Sequence, residues 1–194
     1  MTLLLALSRA IEARDPYSSG HGARVTAIAE AIAARLDWDR RRIEVLRMCA
    51  ALHDIGKLTV SASVLRKPGP LSDEEFDDVR RHPVVGARMV ELVPSLRPAV
   101  PGVRHHHERW DGQGYPDGRS GAAIPAEARV LAVADAFDAM TSDRPYRPAL
   151  SCTRAINELE RCAGTQFDPN VVAALVDSWL AGELGERGAL RAAS

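Results

Sequence analysis

Residues 40–57 read RRRIEVLRMCAALHDIGK. The stretch begins behind Asp39, a residue type that caps helix N-termini. It runs with helical periodicity into Gly56, read as a C-terminal stop. Its last turns, MCAAL, are apolar and belong in a core. His53 and Asp54 follow at once. A buried carboxylate is costly unless it is paired or coordinated. A helix C-terminus makes matters worse, because its partial charge repels an acid. Asp54 therefore needs a cation, either Lys57 or a metal.

The same periodicity extends along the chain in both directions. TLLLALSRAIEAR opens a first helix with Thr2 as its cap. HGARVTAIAEAIAARL sets Val25, Ile28, Ala29, Ile32 and Leu36 on one stripe. SDEEF is a capping box, Ser72 with Glu75. HPVVGARMVEL has Pro83 in its first turn, where proline is tolerated. PAEARVLAVADAFDAM, CTRAINELERCAG and PNVVAALVDSWLAG complete the set. The expected architecture is an all-α bundle with one long irregular loop, Arg109 to Ile124, and loops of that length are usually functional.

With 194 residues, one domain spanning 1–194 is expected, its core over about 8–181 and a disordered tail over 182–194. Hydrophobic residues at 46% and a net charge of -1 imply a soluble globular chain without a global field for nucleic acid polymers. The apolar start is too short to insert in a membrane and lacks the flanks of a signal peptide. Cys49, Cys152 and Cys162 show no CxxC spacing, so a reducing cytoplasm is expected, and any metal must be held by nitrogen and oxygen.

Ligand-type side chains recur at helix ends. His21 opens a helix, His82 starts another, and His106 and His107 end a third. Asp135 lies inside the apolar VLAVADAF. Each has an ordinary explanation alone: a terminal histidine as a cap, Asp135 paired with an arginine. Together they place five histidines and two aspartates where five helices would converge. Three adjacent helical histidines fan over about 200°, at roughly 100° per step, so one of His105, His106 and His107 falls outside any common centre.

LHDIGK at 52–57, HHERWDGQGYPDG at 106–118 and VADAFDAMTSDRPYR at 133–147 resemble the HD-GYP family, a branch of the HD metal-dependent phosphohydrolases. RDPYSSGHGARV, RHPVVGARMV and GTQFDPNVV are similar to further family segments, in the expected order. The resemblance covers nearly the whole chain. It implies a bacterial enzyme of second-messenger signalling that hydrolyses cyclic di-GMP to linear pGpG, alone or with GMP.

The resemblance also implies roles. His21, His53, Asp54 and Asp135 match the general HD ligands, with Asp54 bridging two metals. His82, His106 and His107 match the ligands completing the second metal, leaving His105 outside. Two divalent ions are implied, iron or manganese first, with zinc, nickel and magnesium as alternatives. Tyr17 stands where members with a third metal carry glutamate. Lys57, a catalytic residue with Asp54, matches the family lysine on the scissile phosphate. The GYP loop, with Gly112, Gly114 and Gly118 permitting positive φ and Pro116 stiffening the turn, would present Tyr115 to a guanine. Gly114 and Pro116 are counted with it as substrate-binding. Arg144 and Arg147 match guanine- or phosphate-binding positions, though either can instead pair with Asp111 or Asp117. Glu108 and Asp111 read as loop-fixing or ligand-supporting residues. Asp138 shares a face with Asp135, as a support or a solvated acid.

Three functions remain in view. The first is cyclic di-GMP hydrolysis; the second is hydrolysis of another cyclic dinucleotide or nucleotide. The third is a signalling adaptor that binds a GGDEF-type diguanylate cyclase. The apolar first helix is either the first core helix or a homodimer surface. The chain is either a stand-alone enzyme or part of a longer one.

Overall fold

A computed structural model describes residues 20–143 and 148–184. It is helical, and the described residues contain no strand. We number the helices α1 His21–Arg35, α2 Arg40–Leu52, α3 Ala62–Leu65, α4 Asp73–Arg80, α5 His82–Glu91, α6 Val100–His105, α7 Ala126–Thr141, α8 Cys152–Arg161 and α9 Pro169–Leu180. Short 3₁₀ turns lie at Ile55–Thr59, Pro94–Ala99 and Gly121–Ala123. The expected helix in residues 2–14, with Thr2 as its cap, lies outside the described residues, as does the homodimer surface read there.

Local chemistry explains the boundaries. Asp39 accepts the Arg42 N–H at 2.8 Å and starts α2. Ser72 and Glu75 form the reciprocal capping box of α4. Pro83 sits in the first turn of α5. The α1 stripe packs inward as expected: Val25, Ile28, Ala29 and Ile32 are fully buried, and Leu36 is partly so. α1 lies against α2, α7 and α9. α7 buries Ala128, Val130, Leu131, Val133, Ala134 and Phe137, the pattern of a helix surrounded by others. It is the axis on which Asp135 and Asp138 are carried.

Two expectations need correction. Gly56 does not stop α2: the helix ends at Leu52, and the chain tightens into the 3₁₀ turn Ile55–Thr59. Its φ is not among the positive ones. Glycine is required there for room, since a Cβ would strike the His82 carbonyl oxygen and lie 2.7 Å from the Gly86 nitrogen. The turn thus lies directly on the backbone of α5. The core also continues past residue 181: Leu184 is buried, and Arg35 pairs with Glu183.

Gly56→Ala should destabilise the fold by about 3 kcal/mol, because backbone on backbone cannot yield as a side chain does. Urea denaturation measures it; a loss under about 0.5 kcal/mol, the scale of an ordinary surface change, would show that the contact is loose.

Candidate metal centre

All seven expected ligands lie among the described residues, and the fold gathers them. His53 caps α2, Asp54 precedes the 3₁₀ turn, His82 begins α5, and His106 caps α6. His21 begins α1, and Asp135 projects from α7. Two groups result: His21, His53 and Asp54 in one, His82, His106 and His107 in the other, each with candidate ligand atoms within 4.8 Å of one another. Asp54 joins them. Its Oδ1 is 3.3 Å from His82 Nε2, and its Oδ2 is 3.5 Å from His53 Nε2. Asp135 Oδ1 stands 3.3 Å from His21 Nε2.

The hydrogen bonds fix which nitrogens face inward. Nδ1 of His53, His82 and His106 each lies 2.8 Å from the carbonyl three residues earlier: Ala50, Val79 and Val103. A carbonyl only accepts, so each Nδ1 carries the proton and each Nε2 of a neutral ring is a lone pair. His53 Nε2 is buried with no hydrogen-bond partner. Nε2 of His82 and His106 are 3.2 Å apart. Between neutral rings of this tautomer that contact is lone pair against lone pair, not a hydrogen bond. Converging imidazole lone pairs beside buried carboxylates are what divalent cations bind, so the donor set fits metal.

Protonation favours the same reading. Burial pushes His82 and His107 down to about 4, and burial with the neighbouring imidazoles holds His106 well below its ordinary value. These rings are neutral at pH 7, as ligation requires. Burial alone would raise the Asp54 carboxyl, but Lys57, His53, His82 and His106 hold it well below the usual carboxylate range. Lys57 Nζ sits 2.7 Å from Asp54 Oδ2, at the edge of the cluster.

Two groups were less legible. Asp138 is not solvated: it is 2% exposed, and its oxygens accept from His21 Nδ1 at 2.7 Å and from Arg24 Nε at 2.5 Å. It orients His21 as backbone carbonyls orient the other three. Arg80 was not read from sequence at all. Its guanidinium lies 4.9 Å from the Tyr115 ring centroid.

His105 turns away from the cluster toward Glu108 and Asp117, at 3.6 and 3.7 Å. Glu108 takes the N–H groups of Asp117 and Arg119 and so holds the loop closed. Asp111 pairs with Arg109, and Asp117 with Arg104. Gly112 and Gly118 have positive φ. Gly114 does not; a Cβ there would lie 2.6 Å from the His107 oxygen, so glycine is needed for close packing. Tyr115 is half-buried, its ring stacked on His107 at 4.9 Å, not projecting from a loop tip. Arg144, Arg147 and Tyr17 lie outside the described residues.

Chelator-treated protein should lose stability as pH falls from about 6.5 toward 4. In that window unfolded histidines bind protons that folded His82, His106 and His107 exclude, so falling pH favours unfolding. His21, whose pairing with Asp138 and the charge of Asp135 outweigh its burial and raise it, acts oppositely but is one group against three. Urea midpoints at pH 7, 5.5 and 4.5 measure this; a flat profile would contradict the neutral-ring assignment.

Residues 6–171 match the family model described as HD domain. Over 175 residues the chain is 41% identical to the Xanthomonas campestris protein named cyclic di-GMP phosphodiesterase response regulator RpfG, covering 89% of this chain and 46% of that protein. A Vibrio cholerae protein named 3'3'-cGAMP-specific phosphodiesterase 3 is 35% identical over 173 residues, covering 89% of this chain and 38% of that protein. The chain thus spans about half or less of the length of these curated relatives. Among solved structures, a V. cholerae cyclic GMP-AMP phosphodiesterase superposes with a TM-score of 0.67 at 20% identity, covering 90% of this chain and 47% of that one. The Listeria monocytogenes PgpH HD domain does so with a TM-score of 0.62 at 16% identity, covering 90% and 95%. With its motifs, its helical fold and its matched length in agreement, the chain belongs to the HD-domain family.

Proposed function

We propose that this domain is a two-metal phosphodiesterase that hydrolyses cyclic di-GMP to linear pGpG, alone or with GMP. The observation that carries the reading is Asp54, whose two oxygens face two separate groups of imidazoles. His21, His53, Asp54 and Asp135 would hold one ion; His82, His106 and His107, with the other Asp54 oxygen, would hold the second. Iron or manganese suits this thiolate-free set best, with zinc, nickel or magnesium as alternatives. The third-metal glutamate position is Tyr17, so two ions are expected. The names of the relatives support a cyclic dinucleotide as substrate.

When bound, such a pair supplies an activated water and a positive clamp on phosphoryl oxygens. The chain's own residues supply the rest. Asp54 fixes the spacing of the two ligand groups. The carbonyls of Ala50, Val79 and Val103 and the Asp138 carboxylate lock imidazole tautomers, so no ring must turn during the reaction. Lys57, an ammonium at the rim of the cluster, moves from Asp54 toward the non-bridging phosphate oxygens as negative charge grows there. The loop held by Glu108 sets Tyr115 over His107 at the mouth. Arg144 and Arg147 follow α7 and are proposed to meet guanine edges or phosphates.

A neighbouring substrate is favoured by one observation: several Vibrio cholerae relatives at 31–35% identity are named 3'3'-cGAMP-specific. That reading keeps the same centre and changes only the base contacts.

Protein reconstituted with iron or manganese under reducing conditions should convert cyclic di-GMP to pGpG, followed by liquid chromatography. Absence of both pGpG and GMP would sink the proposal. Lys57→Ala should lower kcat about 100-fold while metal content stays at the wild-type value; loss of metal with it would make Lys57 a structural partner of Asp54.

A further inference from the structure

The turn GTQFDP, residues 164–169, is a stretch that the reaction so far leaves unused. Its backbone is tied down on several sides. The Gln166 N–H donates to the Cys162 carbonyl at 3.0 Å, and the Gln166 carbonyl accepts the Trp110 N–H at 3.1 Å. The Thr165 carbonyl accepts the Asp111 N–H at 2.8 Å. Buried Asp168 caps α9 through the Asn170 N–H and pairs with Arg129 of α7 at 2.5 Å. Gln166 is thus fixed both to the chain that follows His107 and to the helix that carries Asp135. Its side chain lines a cavity of about 200 Å³ together with His107 and Asp135. Ala132 and Ala136 leave the room, and Phe167 supplies an apolar wall. Glu108 and Arg109 also reach this cavity but are committed, Glu108 to the N–H groups of Asp117 and Arg119, Arg109 to Asp111. Among the described residues the Gln166 amide makes no hydrogen bond. A rigidly held residue therefore brings an uncommitted amide into a cavity shared with two of the expected metal ligands.

Resting on the proposed function, we infer that Gln166 is a further substrate-binding residue, which recognises the ribose 2′-hydroxyl beside the scissile linkage. The ions that His107 and Asp135 would hold are where the scissile phosphate sits, so a cavity against those two residues receives the group next to that phosphate. In a 3′,5′-linked ribonucleotide that group is the sugar, and its 2′-hydroxyl stands on the carbon adjacent to the one bearing the leaving oxygen. The size agrees: the cavity is smaller than the roughly 300–1,000 Å³ that encloses a whole small ligand, and it suits a sugar. The chemistry agrees as well. A hydroxyl both donates and accepts, and a primary amide does the same. The Glu108 carboxylate can only accept and the Arg109 guanidinium only donate. A 2′-deoxy linkage would leave the amide without its partner. Gln166 therefore selects the sugar, not the base.

The test compares kcat/KM for cyclic di-GMP and its 2′-deoxy analogue in metal-loaded wild type, Gln166→Leu and Gln166→Ala, with Tm and metal content as controls for folding and for the centre. Intrinsic differences between the two linkages cancel when the ratio of the two substrates is compared between wild type and variant. Each variant should lower that ratio about tenfold, the scale of one neutral hydrogen bond, through a loss on the ribose substrate. A ratio that changes by less than twofold overturns the inference. A parallel loss on both substrates gives that result and would make Gln166 a structural part of the turn alone. Wild type that cleaves bis(p-nitrophenyl) phosphate but neither cyclic dinucleotide sinks the proposed function first, and the sugar contact with it.

Discussion

A carboxylate buried among imidazoles is the constraint on which this molecule turns. Asp54 is 7% exposed, and the rings of His53, His82 and His106 surround it with Lys57. Lys57 compensates one oxygen but leaves the inward lone pairs of His53, His82 and His106 unanswered. Replacing such groups by apolar residues is often neutral or stabilising. Their presence at the meeting point of the helices is a cost that a bound cation would turn into affinity.

The fold pays for that geometry with helix ends. The last carbonyls of an α-helix have no partner within it. Ala50, Val79 and Val103 lie in the last turns of α2, α4 and α6, and each accepts a histidine Nδ1–H. Each bond uses a helix-end carbonyl to aim an imidazole into the cluster. This is why the ligand histidines sit at helix termini, and why close approach matters: Gly56 lets the His53–Asp54 corner rest on the α5 backbone that begins with His82. His21 heads its helix, has no such carbonyl, and takes the Asp138 carboxylate instead.

Much of this was legible in the sequence because it follows from spacing. The apolar stripes of α1 and α7, the Ser72–Glu75 box and the Pro83 start depend on neighbours within four residues. The clustering of these side chains was legible because histidines and aspartates in or beside the ends of apolar helices lack a cheaper explanation as a set, and the family resemblance gave the proposed ligand roles. The rest depends on what crosses between distant segments. Gly56 read as a helix stop because its true reason, the approach of α5, is tertiary. Gly114 read as a turn glycine for the same cause. Asp138 stayed open between a support and a solvated acid because its partners His21 and Arg24 are far away in sequence, and Arg80 gave no signal because its meeting with Tyr115 joins α4 to the loop. Leu184 was assigned to a tail because nothing local marks it as core.

Asp54 is proposed to join two groups of residues that would each hold a divalent ion. Anomalous diffraction from crystals of the metal-loaded protein tests it most directly. Two peaks per chain are predicted, one on each side of the Asp54 carboxylate. A single peak, or three, or peaks that Asp54 does not separate, would contradict it.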